Sequence, residues 1–233
     1  MESISLSDQV LIFTTLFLGA VAILTPWIGE GIKSLWARPK INITFAPSPP
    51  ACHRTRLLTA FTPGQTHDTF YFRFEVTNKG RSQARRCEAV FERLWIADAA
   101  GAMQEYPRLT PVTLQWGSGY DEFVDINPGR RFYCDFLSVP DREAQQAFGA
   151  MGGYVDPPEM PSYPLGVVIC VKAAFFSQPN RLPPGKYRIQ VAIYSENADT
   201  VRAVFDLAWS GAWKRDERDI HQECVISISK VAA

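Results

Sequence analysis

The chain opens on one unbroken apolar run and then changes to short stretches in which apolar and polar residues alternate. Residues 9–29, QVLIFTTLFLGAVAILTPWIG, hold no formal charge over 21 positions. As a helix such a run measures roughly 31 Å, close to the ~30 Å hydrocarbon core of a bilayer. The pattern predicts a single transmembrane helix over 9–29, a short N-terminus over 1–8 on the non-cytoplasmic side, and a juxtamembrane segment over 30–40. Phe13, Leu16, Phe17 and Trp27 are the anchor side chains, with Trp27 and Trp36 suited to a membrane interface. Ala20-Val21-Ala22 resembles a signal-peptide cleavage triplet. However, the N-terminal flank has no Lys or Arg and the apolar run continues past the triplet, which favours an uncleaved anchor.

From residue 41 the period becomes two. INITFA alternates at Ile41, Ile43 and Phe45 and predicts a first strand. Residues 47–68 read as a loop with a short strand at 57–61. TFYFRFEVTNKG places Phe70, Phe72, Phe74 and Val76 on one face and Tyr71, Arg73, Glu75 and Thr77 on the other, ending in the turn residues Asn78-Lys79-Gly80. In ARRCEAVFERLWIAD the parity switches between Phe91 and Leu94, which predicts a bulge near Glu92-Arg93. LTPVTLQW reads as a weaker strand and Asn127-Pro128-Gly129 as a turn. RRFYCDFLSV, VVICVKAAFF, LPPGKYRIQVAIYSEN, TVRAVFDLAW and CVISISK supply further strands. DREAQQAFG predicts one or two helical turns, and WKRDERDIHQE a solvated loop or short helix. Residues 140–166 are the longest stretch without strand character.

Eight or nine strands with turn signals between them predict a mainly β domain over 41–233, a two-sheet antiparallel sandwich, with a closed barrel as the alternative. LPPGKYRIQV resembles the Pro-Gly-x-Tyr approach to the penultimate strand of immunoglobulin-like and fibronectin-type sandwiches. FRFEVTNKGRSQA is similar to the early strand and turn of bacterial adhesion-type sandwich repeats. The resemblance spans roughly residues 70–209 and implies an immunoglobulin-like fold in which Tyr187 is the corner tyrosine, its hydroxyl bonded to backbone upstream. No Cys–Trp–Cys spacing of antibody domains accompanies it, and such a fold does not imply a function.

Charge and cysteine content narrow the setting. Lys plus Arg and Asp plus Glu number 24 each, so no global charge favours nucleic acid. The five cysteines, Cys52, Cys87, Cys134, Cys170 and Cys224, are odd in number and widely spaced, which suits a reducing compartment better than a disulfide framework. Lys33, Arg38 and Lys40 follow the apolar run and no cation precedes it. The positive-inside rule then places the domain in the cytosol.

Candidate chemistry is sparse. No Gly-rich phosphate loop and no nucleophile elbow is present, so no cofactor and no enzymatic activity are expected. His221 and Cys224, with Cys52-His53, make a weak metal pattern. Asp121, Glu122 and Asp125 read as a solvated loop. Arg81, Arg85 and Arg86, with Arg130 and Arg131 on another strand, form an anion-binding patch if they converge, or plain edge charges if they do not. Tyr154, Met160 and Tyr163 in the 140–166 loop are the candidate partner contacts. Gly19, Ala20 and Ala22 leave self-association open without a G-x-x-x-G motif. The expectation is therefore a single-pass membrane-anchored binding or scaffold protein whose cytosolic sandwich meets a protein partner at the membrane surface. The alternatives are a sensor for an anionic ligand and an extracytoplasmic adhesion-type domain.

Overall fold

The computed structural model describes residues 11, 13–25, 37–58, 66–117, 121–150, 153–158, 160, 163–172 and 179–232. Two compact units divide the chain at Arg38 and Pro39.

In the first unit, helix α1 covers 13–25, and all of its described side chains are exposed. Phe13, Leu16 and Phe17 are 77%, 68% and 62% exposed. Among the described residues no helix is long and apolar enough to cross a membrane. The described part of α1 covers thirteen of the 21 positions in the 9–29 run that predicts a span. Residues 9, 10, 12 and 26–29, Trp27 among them, lie outside the described residues, as do Trp36 and most of the 30–40 segment.

The second unit is a two-sheet antiparallel β-sandwich. The alternating Phe70, Phe72, Phe74 and Val76 become the buried face of β3 (Thr66–Asn78), the inner strand of the first sheet. That sheet runs β1 (Ile41–Thr44), β3, β9 (Arg131–Pro140), β10 (Val167–Ile169), β11 (Arg181–Leu182). Strand β2 (Cys52–Leu58) also pairs with β3, and β7 (Gln115–Trp116) with β9. The second sheet runs β14 (Cys224–Ala232), β13 (Val201–Trp209), β12 (Gly185–Tyr194), β4 (Ala84–Ala97), β5 (Met103–Glu105). Strands β6 (Val112–Thr113) and β8 (Val124–Ile126) both lie along β4. The parity switch in β4 is a bulge: Gln190 pairs with Arg93 and Val191 with Phe91, leaving Glu92 as the extra residue.

Aromatic rings join the layers. Phe136 and Phe205 lie 4.7 Å apart, and Phe74 is 5.8 Å from each. Removing a ring such as Phe205, wholly buried, would cost about 3–5 kcal/mol. The corner tyrosine implied by the resemblance is present as a contact: the buried Tyr187 hydroxyl donates to the Pro183 carbonyl at 2.5 Å.

Three expectations change. Residues 52–58 are strand rather than loop, since β2 lies on β3 through residues that look polar because they edge the sheet. Among the described residues of VVICVKAAFF only Val167–Ile169 form a strand, and the expectation for residues 173–176 lies outside the described residues. Among the described residues the strand count rises to fourteen because six of the segments are only two or three residues long. The helical turns at 142–150 form α2 (Arg142–Ala150), and the mixed-charge run carries α3 (Glu217–Glu223), N-capped by Asp216.

Candidate functional site

Two ends of the sandwich carry the residues singled out by sequence. At the first end the chain enters β1, and three turns meet: β3–β4, β8–β9 and β12–β13. Asn78 ties the entry to β1, the β3–β4 turn and the β8–β9 turn together, while Asn197 bonds the β12–β13 turn to Arg85 N–H and the Gln83 carbonyl. Asn78 is fully buried, and its Oδ1 accepts from the backbone N–H of Lys40 (3.1 Å) and Gly80 (2.9 Å). Its Nδ2 donates to the carbonyls of Ser82 (2.7 Å) and Ile126 (2.8 Å), and its own carbonyl accepts from Gly129 N–H at 2.8 Å. Only an amide side chain supplies two donors and two acceptor lone pairs in this arrangement. The Asn127-Pro128-Gly129 turn closes with Arg130 N–H on the Asn127 carbonyl. Gly129 adopts φ +74°, which a glycine takes without steric cost.

This end gathers Arg81, Arg85 and Arg86 from the β3–β4 turn and the start of β4, together with Arg130 and Arg131 from the start of β9. They are not equivalent. Arg86, left-handed at φ 47°, sits in the irregular pairing of β4 with β8. Its guanidinium lies 4.2 Å from the Phe123 ring centre and 2.9 Å from Glu196. Arg131 approaches Glu75 at 3.7 Å. Arg85 is exposed; its backbone N–H donates to Asn197 Oδ1, and its carbonyl accepts from Ser195 Oγ. Lys40, Lys79, Arg81 and Arg130 are exposed beside it.

The opposite end lies about 40 Å away along β4, at ~3.3 Å per residue. There Ile96, Ala97, Tyr106, Pro107 and Met160 line a groove of about 600 Å³ with Asp98, Gln104 and Glu105 on its rim. Met160 thus contributes to a surface, while its sulfur lies 3.3 Å from the Tyr187 hydroxyl oxygen. Tyr154 is half-buried against Phe148, ring centres 4.7 Å apart, with the Arg181 guanidinium 5.2 Å from its ring centre. Arg181 in turn makes a forked pair with Asp156 (2.7 and 2.6 Å). Burial pushes the Tyr154 phenol up to about 12. Tyr163 is 41% exposed. The three loop residues therefore do not form one patch: Tyr154 packs inward, Met160 joins the groove, and Tyr163 faces solvent. The groove residues Ile96, Tyr106 and Pro107 carry no sequence signal that separates them from ordinary strand ends.

The remaining candidates are structural. His67 lies against Asp141 (3.4 Å) at 2% exposure, out of reach of a dissolved substrate. His221 meets Phe72 edge-on, ring centres 5.7 Å apart. His53 Nδ1 is 3.1 Å from the Pro50 carbonyl. Among the described residues no group of three or more His, Cys, Asp or Glu is placed to hold a metal ion. Asp121 is exposed, Glu122 approaches Lys172 at 3.5 Å, and Asp125 accepts from Arg86 N–H. A charged hollow at Arg54, Arg215 and Glu217 mixes both signs: Arg54, Arg56 and Arg215 share the Asp68 carboxylate within 4 Å, and Glu217 accepts from Arg54 N–H. Comparison with protein-family models, curated proteins and solved structures gave no match.

Proposed function

We propose that the protein is a single-pass membrane-anchored binding protein. The apolar run at 9–29 holds it in the bilayer, and an immunoglobulin-like sandwich in the cytosol offers the groove around Met160 to a protein partner. The observation that carries this reading is the exposure of the apolar side chains of α1. Phe13, Leu16, Phe17, Ile23 and Leu24 are all more than half exposed, and a continuous apolar surface of this kind is stable only where lipid or protein covers it. The buried corner hydroxyl of Tyr187 supports the immunoglobulin-like reading of the sandwich. The apolar floor and acidic rim of the groove, Asp98 and Glu105, suit an apolar segment flanked by basic residues.

The experiment is carbonate extraction of membranes from cells producing the full chain or the Leu16→Asp/Phe17→Asp variant. An Asp at the centre of a spanning helix costs about 2.5–3.5 kcal/mol. The native chain should stay in the pellet and the variant should move to the supernatant with its sandwich folded. Identical partition of the two would reject the anchor. For the groove, Met160→Glu should release whatever protein the native chain retains at the membrane.

A further inference from the structure

The cations at the Asn78 end pose a question that the fold does not answer. Elsewhere on the sandwich most arginines meet a carboxylate: Arg54 and Arg56 with Asp68, Arg73 with Asp135, Arg181 with Asp156, Arg188 with Asp206, Arg202 with Glu92. At the Asn78 end, Lys40, Lys79, Arg85 and Arg130 are exposed and make no ion pair with a carboxylate among the described residues, and Arg38 just upstream behaves the same way. The carboxylates at this end are few and mostly committed. Glu196 is engaged by Arg86, Glu75 by Arg131 and the Tyr133 hydroxyl, and Asp125 by the Arg86 N–H, which leaves Asp199 in the β12–β13 turn. The cations come from the entry to β1, the β3–β4 turn with the start of β4, and the β8–β9 turn, segments that Asn78 fixes to one another, so the cluster is preorganised. It is also the end at which the chain arrives from the apolar run.

We propose that this end of the sandwich is a docking surface for anionic phospholipid headgroups. The proposal rests on the anchor reading above. Cations near an anionic leaflet each gain from its negative surface potential, and the gain fades within a Debye length. A tether raises the effective concentration of the cluster at the leaflet, whereas a free domain would feel the field only on collision. The ligand chemistry is phosphate and carboxylate at a surface, a spread-out target that suits scattered Lys and Arg better than a single enclosed anion.

The test uses the full chain in vesicles of phosphatidylcholine alone, and in vesicles containing about one-third phosphatidylserine. Amide hydrogen exchange of residues 79–86 and 127–131 is the readout. We expect slower exchange in the anionic vesicles and reversal by about 0.5 M NaCl. The docked fraction should fall about fivefold for each cation removed, so K79E/R85E/R130E should abolish the protection. The milder K79Q/R85Q/R130Q should weaken it by about a hundredfold on the same scale. Equal exchange in both vesicle types, or protection that survives both triple variants, overturns the proposal. Protection in neutral vesicles on adding millimolar inorganic phosphate also overturns it, in favour of a small-anion site. Failure of the chain to enter the neutral vesicles at all rejects the anchor instead, so the two readings fail separately.

Discussion

Replacing Asn78 with Ala should disorder one end of the sandwich at a cost that the hydrogen-bond inventory sets. Four side-chain bonds are lost. The bond to the Ile126 carbonyl is buried, and those to Lys40 N–H, Gly80 N–H and the Ser82 carbonyl are partly buried. A buried orphan costs about 1–3 kcal/mol and a bond that water can replace about 0.5–1 kcal/mol, for a total near 4 kcal/mol. Against a domain stability of about 5–15 kcal/mol this is large. For a domain of this size it corresponds to a fall in Tm of roughly 8–16 °C. Urea unfolding followed by tryptophan fluorescence measures the loss, and exchange of the Gly80 and Gly129 amides localises it. Asn78→Asp should be nearly as damaging at neutral pH, because a carboxylate replaces the donor that faces two carbonyl oxygens, and it should recover in acid as that carboxylate is protonated. A cost below about 1 kcal/mol for Asn78→Ala would refute the idea that this side chain holds two turns and the entry to β1 in place.

Tyr187→Phe keeps the ring but loses the buried bond to Pro183, and should cost about 1–2 kcal/mol in the same unfolding assay. Glu92, the bulged residue, is pushed up by burial, but hydrogen bonds from the Tyr194 hydroxyl, Gln190 and Arg202 outweigh this and hold its carboxyl below the usual range. Its contribution is therefore present above the ordinary glutamate value of about 4.3 and is lost as pH falls through the lower folded value. Glu92→Gln should accordingly be less stable than the native chain at pH 7, and the difference should close on acidification below about pH 4. Burial raises the thiols of Cys52 to about 12 and of Cys87 to about 11, and also raises those of Cys134 and Cys224. Native protein at pH 8 should therefore react slowly with thiol reagents, Cys170 first because it is only half-buried, and all five should react after denaturation.

The strands that could be read from sequence are those long enough to repeat. Phe70, Phe72, Phe74 and Val76 declare β3 by themselves, and the change of parity between Phe91 and Leu94 marks the bulge at Glu92 because only an inserted residue keeps both halves facing the core. Strand β2 was hidden because Arg54, Thr55 and Arg56 lie on an edge where alternation carries little burial. Two-residue strands such as β6 and β7 have no period at all. The candidate sites were legible as residue types but not as partners. Nothing in the spacing of Arg81, Arg85 and Arg86 shows that Arg86 is neutralised by Glu196, some 110 positions away, while Arg85 is left in solvent. Nor does the 140–166 loop reveal that Tyr154 packs under Arg181 while Met160 faces a groove made by β4 and β5. Those outcomes depend on which strands become neighbours, and that is fixed only once both sheets have formed.

The most direct measurement is the sidedness of the membrane-bound chain. With the half-buried Cys170 replaced by Ser and the other four native thiols buried, a cysteine placed at the exposed Ser227 of β14 can report alone. With Ser227→Cys we expect the chain to pellet with membranes and to escape an impermeant maleimide in intact cells, and then to label fully once the membrane is opened. Labelling in intact cells, or a chain that never reaches the membrane fraction, would contradict a cytosolic sandwich tethered by the apolar run.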